Sequence, residues 1–246
     1  MKESGPSRNT NNDRERWIAT AIMLGIVIAY LYNTDPPGNL PKEVKEKIEV
    51  RFDKLKKDYR AYVDGGRKQD GRITGEEITE LVDIYVLLYA PMAEKIQRDH
   101  GIPASIVMAQ ALIESDKGTS DLAVLANNHF GIKHSKHCKE KFSGKDLNCC
   151  IQRPDDEDFD RFKKYKNDEE CFRDYVKVLK KKNYKACFAC GVNYECWAEE
   201  LEKAGYATNP EYAEMLIKLI QQYGLAELDH DEEYHLKPGD LKNLEK

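Results

Sequence analysis

The stretch from Ile102 to Lys133, IPASIVMAQALIESDKGTSDLAVLANNHFGIK, constrains the fold more than any other part of this 246-residue chain. It reads as a largely apolar helix that ends in a single carboxylate, Glu114, followed by a glycine turn and an asparagine-rich loop. Gly118 can take the positive φ that closes a helix, Thr119 or Ser120 can cap the next one, and Asn127-Asn128-His129-Phe130-Gly131 supplies polar and aromatic groups with a further tight turn. A lone glutamate at a helix end is ordinarily a solvated surface residue. Here it sits near the negative end of the backbone dipole, with Ala111, Leu112 and Ile113 as an apolar wall. Both effects disfavour the charged form and raise the pKa toward a value useful to a proton donor.

Several motifs beyond this one occur in a fixed order. AQALIESDKGTS carries Glu114, NNHFGIK follows at Asn127 to Lys133, FKKYKNDEECFRDYVKVL begins at Phe162, and AGYATNPEYAEMLIKLI begins at Ala204. In this series the chain resembles the glucosaminidase family of peptidoglycan hydrolases, over roughly Pro91 to Leu225. The resemblance implies a lysozyme-like catalytic domain and an endo-β-N-acetylglucosaminidase acting on glycan strands, with Glu114 as the catalytic acid. It places the asparagine-phenylalanine-glycine loop, with Asn128 and Phe130, along the floor of the cleft as substrate-binding residues. Tyr206 of the closing motif takes an active-site role, and Tyr165 is a candidate to contact the sugar, or to pack. Two departures stand out: Asp116 and Lys117 occupy the place of a frequent Gly-Trp, and Lys163 stands where arginine is usual.

Glycoside hydrolysis ordinarily needs a second carboxylate across the sugar. The run Asp155-Asp156-Glu157-Asp158 follows Cys149-Cys150-Ile151-Gln152, which has the look of a short strand. The resemblance places the second acid on this small β-lobe, so Asp155 and Asp156 are the carry-overs; Glu157 and Asp158 read as a solvated loop. Four adjacent acids do not all ionise cheaply in a closed cleft. Two routes need no such acid: attack by the substrate's own N-acetyl group, or closure of a muramic acid hydroxyl as in lytic transglycosylases. A muramidase using the same glutamate, and a non-catalytic wall-binding or assembly protein that retains the fold, are the remaining alternatives.

The coarse reading is α+β, predominantly α-helical. Residues 1–16 read as a cytoplasmic segment and residues 17–34 as a transmembrane anchor, since WIATAIMLGIVIAYLY, Trp17 to Tyr32, holds no charge and is flanked by Arg14 and Arg16 before it and Asp35 after it. At 1.5 Å per residue this is slightly short for a roughly 30 Å hydrocarbon layer, and the terminal Trp and Tyr suit its interfaces. A cleaved signal peptide is the runner-up, without a convincing cleavage site. The expected location is therefore a bacterial inner membrane, crossed once, with the catalytic part on the periplasmic or wall side.

Residues 35–90 comprise a linker and a helix-loop-helix spacer. Val44, Ile48, Phe52, Leu55 and Tyr59 recur at helical spacing, and DGRITGEE, from Asp70, resembles half of a calcium-binding loop. With Glu77 at the bidentate position, the first and third ligand positions become Gly66 and Lys68, which do not bind calcium. No metal and no cofactor are expected. The apolar stripe of the spacer is expected to bury against the catalytic domain or a second copy, and residues 41–90 are the candidate for self-association or contact with envelope machinery.

Along residues 91–225 the pattern predicts helices at Pro91–His100, Pro103–Ser115, Ser120–Ala126, and near 168–181, 194–203 and 210–223, with a β-hairpin between Ile132 and Phe162. Residues 226–246 read as an extended or disordered charged tail. All seven cysteines lie in the catalytic half, which fits an oxidising compartment. Cys138 with Cys149 or Cys150, and Cys196 with Cys187 or Cys190, are the candidate bridges; a zinc site at Cys187-x-x-Cys190 is the weaker reading. A net charge of -5 gives no ground for nucleic-acid binding.

Overall fold

Helix α3, Ala104–Glu114, is the axis of the molecule. Every residue from Ala104 to Leu112 is buried, so its apolar character runs round the whole helix and not along one stripe. Helices α2 (Gly75–His100), α6 (Tyr194–Lys203) and α7 (Tyr212–Gln222) pack on it, together with a 3-10 helix at Leu225–Asp229. A computed structural model of the chain describes residues 42–66, 73–134, 150–155 and 158–229. The chain divides into two units, residues 51–234 and a second made of residues 1–50 and 235–246, of which the described part is the start of helix α1, Lys42–Asp64. The apolar segment 17–34, the tail from residue 230, Cys138, Cys149 and Asp156 lie outside the described residues.

Both ends of α3 are held from a distance. Pro103 precedes the helix and brings no side-chain cap. Instead the Asp229 carboxylate accepts from the Ser105 backbone N–H at 2.8 Å and from its hydroxyl at 2.5 Å. Gln97 completes the junction, accepting from Ala104 N–H at 2.8 Å and donating to the Asp229 carbonyl at 2.9 Å. An anion is favoured there both as a hydrogen-bond acceptor and by the helix dipole. At the other end the Lys117 N–H reaches back to Leu112 O at 2.8 Å and the Asp116 N–H to Ile113 O at 3.2 Å, the paired bonds of a Schellman closure. Asp116 and Lys117 have φ of 45° and 59°, and Gly118 follows at 79°. A Cβ on Gly118 would lie 2.9 Å from a ring carbon of the buried Tyr85, so glycine is required there for space as well as for conformation.

The spacer helices belong to the same unit from Arg51 on. Arg51 grips Glu80 of α2 through two N–H groups, at 2.8 and 2.5 Å. Phe52, Leu55 and Tyr59 are buried, which puts the apolar stripe against the catalytic half, one of the two expected surfaces. Arg60 donates to the Thr119 carbonyl and to Asp121, each at 2.7 Å, and Tyr59 donates to Asp116 at 3.1 Å. Glu77 forms a capping box with Thr74 at the start of α2, with bonds of 3.2 and 3.0 Å, and lies 3.8 Å from Arg51.

Two sequence expectations need correction. The pattern separates a spacer ending at residue 90 from a helix starting at Pro91, whereas α2 runs unbroken through Pro91 to a left-handed stop at Gly101. Proline removes one helical N–H, but the buried stripe of Tyr85, Ala90, Ala93 and Ile96 continues in register on both sides and holds the helix together. The tail was expected to be irregular from residue 226, yet Leu225 and Leu228 are buried and carry the 3-10 turn that presents Asp229 to α3.

Strands β1 (Cys150–Asp155) and β2 (Asp158–Lys163) form an antiparallel hairpin, with Cys150 opposite Lys163 and Asp155 opposite Asp158. Asp155 and Asp158 therefore close the hairpin pairing, and Asp158 is a strand residue where a loop was expected. Ile151 and Phe162 pack on Ala126 of the short helix α4, Asp121–Ala126, which is capped by Ser120. Helix α5 (Asp168–Leu179) starts on an Asn167 cap and leads into a 3-10 helix, Lys182–Cys190, that the pattern did not predict. Cys190 is bridged to Cys196 at the start of α6, which selects one of the two candidate pairings for Cys196 and removes Cys190 as a metal ligand. Cys187 is buried, its thiol pushed up to about 11 by burial.

Replacing Asp229 by alanine removes the cap of α3 and is expected to lower stability by about 1–2 kcal/mol, read from urea or thermal unfolding. A change smaller than the scatter between replicate melts would show that the Ser105 end of α3 does not depend on this carboxylate.

Candidate active site

Glu114 is the last helical residue of α3, and the Schellman closure directly after it fixes the backbone from which its side chain departs. It is partly buried. Burial raises its pKa above the ordinary glutamate value, while a hydrogen bond from Tyr212 works in the opposite direction without cancelling the rise. The Tyr212 hydroxyl donates to Oε1 of Glu114 at 3.1 Å. Oε2 makes no hydrogen bond among the described residues and is the oxygen available to hold a transferable proton.

Tyr212 is itself held. Gln110 lies one turn before Glu114 on the same face of α3, fully buried, and its amide nitrogen donates to the Tyr212 oxygen at 3.0 Å. The hydroxyl of Tyr175, on α5, donates to the amide oxygen of Gln110. Burial raises the pKa of Tyr175 and Tyr212, so both hydroxyls keep their protons across the physiological range. The arrangement gives a carboxyl group held by neutral donors, at the end of a rigid helix, with burial raising its pKa in the direction a proton donor needs.

Of the other predicted residues, Tyr206 joins this cluster. Its ring stacks on Tyr212 with centroids 5.6 Å apart and leans on Tyr184 of the 3-10 helix at 5.8 Å. Asn128 and Phe130, expected to meet substrate, are placed differently. Asn128 is 0% exposed and is a staple between backbones: it donates to Ile132 O at 3.0 Å and Lys163 O at 2.9 Å, and accepts from Ile132 N–H at 2.9 Å. Phe130 is 4% exposed, stacked on Tyr175 at 4.0 Å. Both are therefore parts of the core: a buried amide makes full use of its hydrogen bonds, and a buried ring fills core volume. Tyr165 donates to Asp174 at 2.8 Å, and Lys163 reaches the same carboxylate at 2.6 Å. Asp155 ends strand β1.

Sequence reasoning missed Tyr212, Gln110 and Tyr175. Only Gln110 carried a local signal, its spacing of four residues before Glu114. A second buried network was also missed. His129 lies 2.8 Å from the Tyr85 hydroxyl through Nδ1 and 3.1 Å from Asp168 through Nε2, which ties the asparagine-rich loop to α2 and α5. Burial would push Asp168 up, but the hydrogen bonds from His129 and Tyr89 outweigh it and hold its pKa below the ordinary value. At the turn after Glu114, Asp116 and Lys117 are committed to Tyr59 of α1, with Lys117 Nζ 2.9 Å from the Tyr59 oxygen.

The sequence model of a family described as mannosyl-glycoprotein endo-beta-N-acetylglucosaminidase, the glucosaminidase family, matches residues 90–225, more than half of the chain. The chain belongs to the glucosaminidase family of peptidoglycan hydrolases. Among curated members it is 31% identical over 165 residues to the exo-glucosaminidase LytG of Bacillus subtilis, covering 63% of this chain and 55% of LytG. It is 27% identical over 157 residues to the peptidoglycan hydrolase FlgJ of Pseudomonas aeruginosa, covering 60% of this chain and 38% of FlgJ. This glucosaminidase-family chain thus spans about half or less of the length of those relatives. The catalytic domain of the autolysin Auto from Listeria monocytogenes shares the fold, with a TM-score of 0.50 and 25% identity over 61% of this chain and 88% of that one.

Replacing Asn128 by alanine strips the Ile132 N–H of its acceptor and removes a donor from the Lys163 and Ile132 carbonyls, of which the Ile132 oxygen keeps the Lys163 N–H. A loss of about 2–4 kcal/mol is expected, read from the urea midpoint, and a folded variant with only weakened substrate binding would contradict the structural role. Glu114 supplies a second test. Its raised pKa means the folded state holds the proton more tightly than the unfolded chain, so the associated stability is present at acid pH and is lost as pH climbs through the raised value. Glu114→Gln stays neutral throughout. Its melting temperature should gain on wild type as pH climbs from the ordinary glutamate range through the raised value, and a difference that stays constant with pH would refute the desolvated carboxyl.

Proposed function

We propose that this chain is an endo-β-N-acetylglucosaminidase that cuts β-1,4 bonds in the glycan strands of peptidoglycan. The observation that carries the reading is Glu114, a partly desolvated carboxyl at a helix terminus, held through one oxygen by Tyr212 and open at the other. In the reaction the Oε2 proton passes to the glycosidic oxygen as the bond to the anomeric carbon breaks, and positive charge develops on the sugar ring. Asp155, which ends strand β1, or Asp156 is the proposed second acid, either activating water or standing opposite the developing cation. The substrate's N-acetyl oxygen is the alternative nucleophile. Tyr206 lines the site beside Tyr212. Water then adds to the anomeric carbon and Glu114 recovers its proton.

We further propose that residues 17–34 anchor the enzyme in the bacterial inner membrane with the catalytic domain on the periplasmic or wall side. The support is the uncharged run from Trp17 to Tyr32 with arginines on one side only, and the Cys190–Cys196 bridge, which suits an oxidising compartment. Self-association or docking to envelope machinery through residues 41–90 would use surface left over by the contacts that α1 makes with α2 and the turn after α3.

A second reading, exo action from strand ends, is favoured by the identity to LytG, which is described as an exo-glucosaminidase. Digestion of purified sacculi separates the readings. Wild type should release muropeptides and Glu114→Gln should lose at least about 100-fold in rate, whereas equal release by both would remove Glu114 from the chemistry and favour a wall-binding protein. Borohydride reduction of the products should yield reduced N-acetylglucosamine ends. Reduced muramic acid would mean a muramidase and anhydro-muramic ends a transglycosylase. Early products of mixed length indicate endo cutting, and disaccharides from the first time point indicate exo cutting.

A further inference from the structure

We propose that Tyr175 and Gln110 are positioning residues which set the direction in which Tyr212 donates its hydroxyl proton, and thereby leave the transferable proton on Oε2 of Glu114. The inference deepens the acid role given to Glu114 above and rests on it.

A primary amide has two unlike ends. The nitrogen only donates and the oxygen only accepts, so whichever end faces Tyr212 dictates what Tyr212 must do. Gln110 is fully buried, with no solvent to mask a wrong choice. The Tyr175 hydroxyl, also fully buried, donates to the amide oxygen. That contact turns the amide nitrogen toward Tyr212, 3.0 Å away. Tyr212 must therefore accept from Gln110, and its own proton goes to Oε1 of Glu114 at 3.1 Å. The chain runs in one sense, from α5 through α3 to α7 and back to the end of α3, and each bond polarises the next. Were the amide reversed, Tyr212 would donate to Gln110 and present a lone pair to Glu114, and Oε1 could then bind it only by carrying the acid proton itself. The observed sense leaves Oε1 as an acceptor and Oε2 as the proton-bearing oxygen.

The ring of Tyr175 is fixed separately from its hydroxyl, by stacking on Phe130 at 4.0 Å. This gives Phe130 a place in the argument as the surface against which Tyr175 is aligned. The titratable groups that face Glu114 and Tyr212 are Tyr175 from α5, Tyr206 from the turn before α7 and Tyr184 from the 3-10 helix, with Cys187 behind Tyr175. Burial raises the pKa of Tyr175 and Tyr206 and holds the Cys187 thiol at about 11, so these three keep their protons while Glu114 titrates.

The test follows the Glu114 carboxyl carbon by NMR in the full chain, labelled with 13C at glutamate and assigned by the signal lost in Glu114→Gln. No substrate is needed, so the result stands even if sacculi are not cut. Tyr212→Phe should raise the Glu114 midpoint by about one pH unit through loss of a hydrogen bond to the charged form. Tyr175→Phe, which keeps the stacked ring, should raise it by about half a unit in the parent protein and leave it unmoved in the Tyr212→Phe background. Gln110→Met probes the same chain at its middle link, with the same signature, and serves if Tyr175→Phe fails to fold. In an active enzyme the alkaline limb of kcat/KM should move by the same amounts. A Tyr175→Phe midpoint equal to wild type, or one that shifts equally with and without Tyr212, would overturn the proposal and leave Tyr175 a packing residue.

Discussion

The closure of helix α3 is the constraint on which the rest of the structure depends. A helix buried round its whole circumference offers no exposed side chain with which to finish its own backbone hydrogen bonds, so both ends must be completed by partners. At the start the partner is Asp229, 124 positions along the chain from Ser105. At the finish the chain caps itself by turning left-handed through Asp116, Lys117 and Gly118, and Tyr59 and Arg60 of α1 brace that turn. Glu114 is the first polar side chain past the buried run and is only partly buried, and its position follows from these two fixations.

The partners of Glu114 are neutral, and this selects its chemistry. A lysine or arginine beside the carboxyl would favour the ionised form and depress the pKa, as the hydrogen bonds to Asp168 and Asp174 do elsewhere in this molecule. Tyrosines in a desolvated cluster supply direction without charge. The group is oriented by one hydrogen bond while burial keeps its proton available, and Tyr206, stacked on Tyr212 and tilted against Tyr184, packs that tyrosine in place.

The parts of the fold that were legible in the sequence are those written in local spacing. Gly118, the Ser120 cap and a hairpin ahead of the α5 helix all declare themselves within a few residues. Tyr212 and Gln110 are 102 positions apart, and Tyr212 and Glu114 are 98 apart, so nothing in a local pattern tells that these side chains meet. Asn128 and Phe130 illustrate a different limit. The motif marks them as important, but only the burial of each shows that the importance lies in packing. The break assumed at Pro91 came from treating proline as a stop signal, which it is only when the flanking turns lack a shared buried stripe.

The shared segment of the family and the structural unit of this chain do not coincide. Residue 90, where the shared segment begins, falls within α2 with Pro91 next to it, and residue 225, where it ends, precedes Asp229. Trimming a fragment to those limits would cut one helix through its middle and discard the acid that seats another. The extent of the structural unit is therefore set by tertiary bonds and not by common ancestry, since it takes in Arg51 before the shared segment and Asp229 after it.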